Sequence, residues 1–274
     1  MIKHSEFIPP DERPADNWYQ KLKKVDSGWY LVFGVIILII LLVVFSPFPY
    51  RDIVVFVRDG IWITIYVTLI AFVLVLFVGL LGGLARLSKN VIIRTLAMIY
   101  VEVIRGIPLL VQLIFWYFAL PSIIRTLGAT LNIDSMANYQ TNGLFMAIVG
   151  LTICYGAYMS EVFRAGIQSI PKGQMEAARS LGMTYFQAMR HVILPQAIRM
   201  ILPPVGNEFI TLLKDSSLVS VVAVADLTRR GREYNASHFL PIETYLMVAL
   251  LYLVMTLLTA RLVAYLEKTT KMER

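Results

Sequence analysis

A chain of 274 residues with 58% hydrophobic and only 16% charged side chains is too apolar for an ordinary soluble domain, because about a quarter of the residues in such domains are charged. The net charge of +7 is spread along the chain and not gathered on one face, which argues against nucleic-acid binding. The mean hydropathy of +0.69 indicates a chain that buries its apolar surface in lipid.

Six segments are apolar and long enough to cross a bilayer, for which a helix needs about 20 residues. The first segment is short, but it holds no charged residue and no small-residue cleavage motif follows it. We therefore expect a retained helix and not a signal peptide. The sequence predicts an all-α membrane protein with about six transmembrane helices. The predicted spans are 30–45, 61–85, 96–120, 144–165, 204–225 and 242–265.

The positive charges indicate how these spans are oriented. On the side that would carry both termini, the loops and tails hold seventeen Lys and Arg residues, whereas the opposite loops hold six. Because positively charged loops stay in the cytoplasm, we expect a multi-pass protein of a bacterial inner membrane with both termini cytoplasmic. The same basic excess would attract anionic membrane lipid.

The sequence pattern offers no residues for metal, redox or hydrolytic chemistry. The one cysteine, Cys154, falls inside the fourth span, where we expect a small buried side chain. The three histidines lack metal-ligand spacing, and no Gly-x-x-x-x-Gly-Lys-Ser/Thr phosphate loop occurs. We therefore expect a chain that is not an enzyme and has no metal or cofactor of its own.

The segment 166–203 is the longest loop on the predicted cytoplasmic side, and it has helical character. Strong helix formers lead up to Gly182, which is expected to interrupt the helix. Thr184, with Gln187 at capping-box distance, predicts a second short helix. Pro195 would end that helix or begin the next one. From these residues alone, the loop could dock on a partner or lie on the membrane surface.

The same loop carries two short motifs at a fixed distance from each other. They are Glu176-Ala177-Ala178 with Gly182, and Ile193-Leu194-Pro195. This pattern resembles the cytoplasmic loop of permease subunits of ATP-binding-cassette (ABC) importers. The resemblance implies the type I ABC importer permease fold, in which two short helices form a coupling element that docks in a groove of an ATPase. It assigns the residues of the first motif to ATPase coupling.

Four further segments are similar to permeases of polar amino-acid importers, of the histidine/arginine, glutamine and glutamate/aspartate types. The segments are 103–112, 160–167, 172–174 and 213–220. The resemblance implies a permease core at 58–268 that includes the coupling loop. Upstream of it we expect a cytoplasmic arm at 1–28 and an extra transmembrane helix at 29–47, because the family core has five spans.

Charged residues inside the spans each need a partner or a function, since a charge near the bilayer centre costs at least about 2.5 to 3.5 kcal/mol. Structural clasps between helices, or side chains that snorkel to the interface, are one interpretation. The other is a central cavity that binds an amino-acid zwitterion through a carboxylate and a cation. The candidate substrate-binding residues are Glu161, Lys214, Asp215, Ser216, Arg105 and Glu102.

The resemblance implies a subunit that translocates polar amino acids by alternating access. Its expected partners are ABC ATPase subunits that bind ATP and Mg, an extracytoplasmic amino-acid-binding protein, and a second permease chain, identical or a sibling. The competing class is an ATP-independent secondary carrier or channel, whereas a membrane-embedded enzyme is disfavoured by the missing catalytic cluster. Cationic, amide and acidic amino acids share this framework, so the sequence predicts no single substrate.

Overall fold

The computed structural model describes residues 28–270, and within them the chain is helical and contains no strand. The predicted all-α fold is therefore confirmed. Apart from its last residue, the predicted arm at 1–28 lies outside the described residues. The helices are α1 (Gly28–Phe45), α2 (Pro47–Arg86), α3 (Val91–Gly106), α4 (Leu109–Ile114), α5 (Leu120–Leu131), α6 (Asp134–Ala137), α7 (Gly143–Gln168), α8 (Lys172–Ser180), α9 (Tyr185–Ala188), α10 (Leu194–Asp215), α11 (Leu227–His238) and α12 (Pro241–Thr270).

Three short segments of different helical geometry join some of these elements. Phe115–Ala119 is a π-helix that makes Leu109–Leu131 one continuous helical run, and Met189–Ile193 is a second π-helix between α9 and α10. Ser216–Val222 is a 3-10 helix that follows α10. Within the described part of the chain, five helical runs are long and apolar enough to cross a membrane: α1, α2, Leu109–Leu131, α7 and α12.

Three of the predicted spans have clearly different bounds in the structure, and the one predicted at 61–85 lies within α2, which begins at Pro47. The span predicted at 96–120 is broken at Ile107 and Pro108, which have extended backbone, so the membrane-length run begins at Leu109. Proline lacks an N–H group and disfavours helical geometry in the residue before it. The span predicted at 204–225 corresponds to α10, which begins ten residues earlier, at Leu194, and ends at Asp215.

The main core lies between α2 and α7, which pack closely along their length. Glycines of α2 permit this approach: a Cβ atom on Gly83 would lie only 2.8 Å from the Cβ atom of Phe163. Between helices in lipid, this close approach stabilises the pair through van der Waals packing and not through removal of apolar surface from water. The buried residues that these helices contribute are Val67, Ala71, Val75, Ala147, Ile148, Leu151, Tyr155 and Met159.

A second core joins α1, the start of α2, α11 and α12. Its buried residues are Ile53, Val57, Leu227, Tyr234, Met247 and Val248, and Ile39, Leu42 and Val43 of α1 pack against them. Asp226 caps α11 by accepting hydrogen bonds from the backbone N–H groups of Thr228 and Arg229. Burial raises the pKa of Asp226, and these hydrogen bonds act in the opposite direction. The extra helix α1 is thus packed against the rest of the chain.

Candidate functional site

A polar cavity of about 370 Å³ lies between α3, α7 and α10. On its wall, the guanidinium carbon of Arg105 lies 5.1 Å from the centre of the Tyr158 ring, within cation–π distance. Glu161 lines the same cavity from α7, and Glu208 lines it from α10. Arg105, in the last turn of α3 before the break, therefore lies in the same cavity as two carboxylates.

A second cavity of about 210 Å³ adjoins the first, because Tyr158 and Glu208 line both. It contains Asp215, which accepts a hydrogen bond of 2.6 Å from the hydroxyl group of Tyr155. Adjacent residues cannot share one face of a helix, so Asp215 and Lys214 point to different sides of α10. The partner of Asp215 lies on another helix, α7. Thr211 and Cys154 complete the polar part of the lining. The first cavity falls in the usual volume range of small-molecule sites.

Glu161 is the centre of an ion-pair cluster at the edge of the first cavity. It pairs with Arg164 one turn along α7 and with Arg86 at the end of α2. Its side chain is 28% exposed, and that of Arg86 is 15% exposed. Glu161 therefore lines the cavity as a carboxylate whose charge is already balanced by two guanidinium groups.

The remaining predicted substrate-binding residues lie elsewhere. Glu102 and Lys214 are exposed and line neither of the two cavities. Ser216 is buried, and its hydroxyl group donates to the backbone carbonyl of Leu213 at 2.8 Å. The structure thus brings together Arg105, Glu161 and Asp215 and leaves the other three candidates outside the cavities.

Glu208 was missed from the sequence, although it lines both cavities. Among the described residues it has no ion-pair partner within 4.0 Å. Two signals could have identified it. It is an acidic residue inside a predicted span, and it precedes Asp215 by seven residues, which is two helical turns and the same face.

The coupling loop folds as two short helices separated by Gly182. Helix α8 ends in a Schellman motif, in which Gly182 N–H donates to Arg179 O at 3.0 Å and Met183 N–H donates to Ala178 O at 3.2 Å. Gly182 has a φ of +83°, as expected for the left-handed residue of this motif. The prediction that Gly182 interrupts the helix is confirmed.

The second helix of the loop begins with the predicted capping box. Gln187 N–H donates to Thr184 Oγ1 at 3.3 Å, and Thr184 N–H donates to Gln187 Oε1 at 2.8 Å. Pro195 lies in the first turn of α10, so it begins that helix. Glu176, Ala177 and Gly182 are exposed, whereas Ala178 is buried against the loop's own helices.

The loop exposes three large apolar side chains at the junction of its helices, here called the loop patch: Leu181, Tyr185 and Phe186, which are 82%, 61% and 71% exposed. Side chains of this size are commonly covered by a partner when they cluster on a surface. Packed membrane helices, a cavity between them with charged side chains on its wall and an exposed apolar loop patch are features of a membrane transport subunit.

Residues 76–272 match the family model of the binding-protein-dependent transport system inner membrane component. The chain belongs to that family, and it is a transmembrane permease subunit of an ABC importer.

Relatives and a solved structure agree with this family assignment. The chain is 40% identical over 210 residues to the probable glutamine ABC transporter permease protein GlnM of Bacillus subtilis, covering 77% of this chain and 91% of the relative. It is 38% identical over 213 residues to the glutamine transport system permease protein GlnP of Escherichia coli, covering 78% and 92%. A solved amino acid ABC transporter with histidines superposes with a TM-score of 0.71 at 38% identity, covering 82% of this chain and 97% of that chain. The importer class is thereby favoured over the secondary carrier or channel.

Proposed function

We propose that this permease subunit carries polar amino acids through the cavities between α3, α7 and α10. The single observation that supports this most strongly is that one guanidinium group, Arg105, and two carboxylates with no ion pair within 4.0 Å in the described part of the chain, Glu208 and Asp215, line adjoining spaces. An amino-acid zwitterion needs a cation for its carboxylate and an anion for its ammonium group, and charge-assisted hydrogen bonds supply both.

The charge balance of the cavities favours substrates that are not acidic. Glu161 is paired with Arg86 and Arg164, neither of which lines the two cavities, so its charge is more than balanced from outside them. Among the other charged groups of the linings, the carboxyl groups of Glu208 and Asp215 outnumber the one guanidinium group, that of Arg105, by two to one. This supports glutamine, arginine or a similar side chain, in line with the glutamine transport systems to which the relatives belong.

We propose that the coupling loop binds an ABC ATPase subunit, which holds ATP and Mg and hydrolyses the nucleotide. Three exposed apolar side chains of the loop patch and the exposed Glu176 would form the contact. Ala177 would permit close approach, Ala178 would hold the loop helices together, and Gly182 would fix the angle between them. The loop connects α7 to α10, and both of these helices line the cavity, so a movement of the ATPase would reach the cavity directly.

Further partners follow from the same function. We propose an extracytoplasmic amino-acid-binding protein that delivers the substrate, and a second permease chain, identical or a sibling, that completes the pathway. Both termini would be cytoplasmic in the inner membrane. Residues 58–268 would form the permease core, and 29–47 an added helix that stabilises its packing.

Reconstitution tests the proposal. The permease, its genetically neighbouring ATPase and the binding protein are placed in liposomes, and uptake of labelled glutamine, arginine and glutamate is measured. We expect uptake that stops when ATP is withdrawn and continues when a protonophore collapses the proton gradient. Uptake that depends on the proton gradient and not on ATP would refute the proposal.

A further inference from the structure

The break between α3 and α4 leaves two backbone carbonyl groups in need of donors. Ile107 and Pro108 are extended, with ψ values of 132° and 138°. Pro108 has no N–H group to donate to Ile104 O, and Ile107 N–H reaches that oxygen only at 3.5 Å. Buried or membrane-embedded carbonyl groups are rarely left unpaired, because each costs several kcal/mol in a lipid environment.

Gln112 supplies both missing donors. Its Nε2 atom donates to Ile104 O and to Ile107 O, each at 2.8 Å. The amide group has two hydrogens, so one side chain satisfies both carbonyls. Gln112 is only 4% exposed, so water does not compete for these bonds.

The oxygen atom of the same amide group adds little to stability. This atom, Oε1, has no hydrogen-bond partner among the described residues. An unsatisfied buried oxygen lowers stability. The benefit of glutamine at this position therefore lies in the two bonds across the break.

The two hydrogen bonds from Gln112 lie on either side of Arg105, which lines the cavity next to the break. Arg105 follows Ile104 directly, lies two residues before Ile107, and stacks on Tyr158 at the cavity wall. An arginine side chain has many rotamers, so a displacement of the backbone at its base would let the guanidinium group leave the Tyr158 ring. We infer that Gln112 is a positioning residue that locks the α3–α4 break and thereby holds the Arg105 guanidinium in the cavity. This inference rests on the proposed function, in which Arg105 binds the substrate carboxylate.

A double-mutant cycle tests the inference in the reconstituted transporter. The variants are Q112M, which keeps the length of the side chain and removes the donor, R105Q, and the two combined. The measured quantity is the ATP-dependent uptake rate of whichever of glutamine, arginine and glutamate the unaltered complex takes up fastest. We expect each single change to lower uptake about tenfold, and the double change to stay within about twofold of R105Q alone.

Matched variants separate positioning from loss of folding. Thr259 Oγ1 donates to Met255 O at 2.8 Å in α12, far from the break along the chain, so T259V removes a similar bond and should leave uptake within about twofold. If Q112M does not assemble with the ATPase on size exclusion, Q112E replaces it, since its shape is the same and a buried, protonated carboxyl group can donate only one of the two hydrogen bonds.

The outcomes are distinguishable. Losses that multiply in the double variant, unaltered uptake in Q112M or Q112E, or unaltered uptake in R105Q would each overturn the positioning role while amino-acid uptake by the parent complex stands. Absence of ATP-dependent amino-acid uptake by the parent complex would instead refute the proposed function.

Discussion

Glu208 and Asp215 give the cavities their negative character, and their surroundings differ from that of Glu161. Asp215 accepts a hydrogen bond from the hydroxyl group of Tyr155. Glu208 has no ion pair among the described residues, whereas Glu161 is enclosed by two guanidinium groups. Of the two glutamates, Glu161 therefore holds the ion-pair cluster together, whereas Glu208 is free to bind an ammonium group.

Glu208→Gln should lower ATP-dependent uptake of arginine or glutamine. The substitution keeps the shape of the side chain and removes a charge-assisted hydrogen bond of about 1.5 to 3 kcal/mol, which corresponds to a loss of roughly ten- to hundredfold in uptake at low substrate concentration. Initial uptake rates in proteoliposomes provide the measurement. Glu243→Gln in α12 is the matched control and should have no such effect. Equal rates for Glu208→Gln and the parent would contradict a role in binding.

Glu161→Gln should affect both stability and transport. It leaves the guanidinium groups of Arg86 and Arg164 close together without the carboxylate that joins them, and we expect a loss of about 2 kcal/mol in stability. Thermal unfolding of the purified complex measures this loss. The ratio of arginine to glutamate uptake, measured in the same preparation, should also fall. If uptake and substrate preference both stay as in the parent, Glu161 does not face the translocation path.

At the residue scale, sequence reasoning found the charged groups but not all of their partners. The cost of charge in a membrane singled out Arg105, Glu161 and Asp215, which the structure places in the linings of the two cavities. Whether a side chain reaches the cavity depends on the rotation of its helix and on contacts distant in sequence. For that reason Glu102 and Lys214 could not be separated from the cavity residues beforehand, and the second guanidinium group of the cluster, Arg86, lies 75 residues away from its partner.

Among the elements, the coupling loop follows most directly from its own sequence. Both helix ends depend on local chemistry: the capping box of Thr184 and Gln187, and the left-handed Gly182. The break at Pro108 is equally local, but the predicted span at 96–120 passed over it. Hydropathy alone does not register a missing N–H group. The hydrogen bond from the Gln112 side chain to Ile104 O joins residues eight positions apart, and only the folded chain shows that these two groups meet.

Gly182→Ala should weaken the connection between the loop helices. A Cβ atom there meets nothing within 4 Å, so the cost is purely conformational, about 1 to 2 kcal/mol for a left-handed non-glycine residue. We expect reduced stimulation of ATPase activity by the binding protein, and partial recovery with Gly182→Asn, since asparagine tolerates this conformation better. Gly173→Ala is the matched comparison: its Cβ atom is also in open space but φ is not positive, so stimulation should be retained. Equal stimulation in all variants would contradict the argument.

At the scale of the whole molecule, the side on which the termini lie depends on α10. Five runs are long and apolar enough to cross a membrane by themselves. Helix α10 carries Glu208, Lys214 and Asp215 and has two internal prolines, yet its 22 residues give a length of about 33 Å, sufficient for a sixth crossing. Because Glu208 and Asp215 line the cavities and the neighbours of α10 are spans, we count it as a crossing, and an even number of crossings puts both termini on one side.

Cysteine labelling tests this topology, and the native chain suits the method because its only cysteine, Cys154, is 2% exposed. A membrane-impermeant thiol reagent is added to right-side-out vesicles that contain single substitutions at exposed positions. We expect Gln140→Cys and Ala236→Cys to be labelled at once, and Lys89→Cys and Ser180→Cys only after permeabilisation, since the basic loops remain cytoplasmic. The unsubstituted chain should stay unlabelled in both conditions. If Gln140→Cys and Ala236→Cys were accessible from opposite sides, α10 would not cross, and the termini would lie on different sides of the membrane.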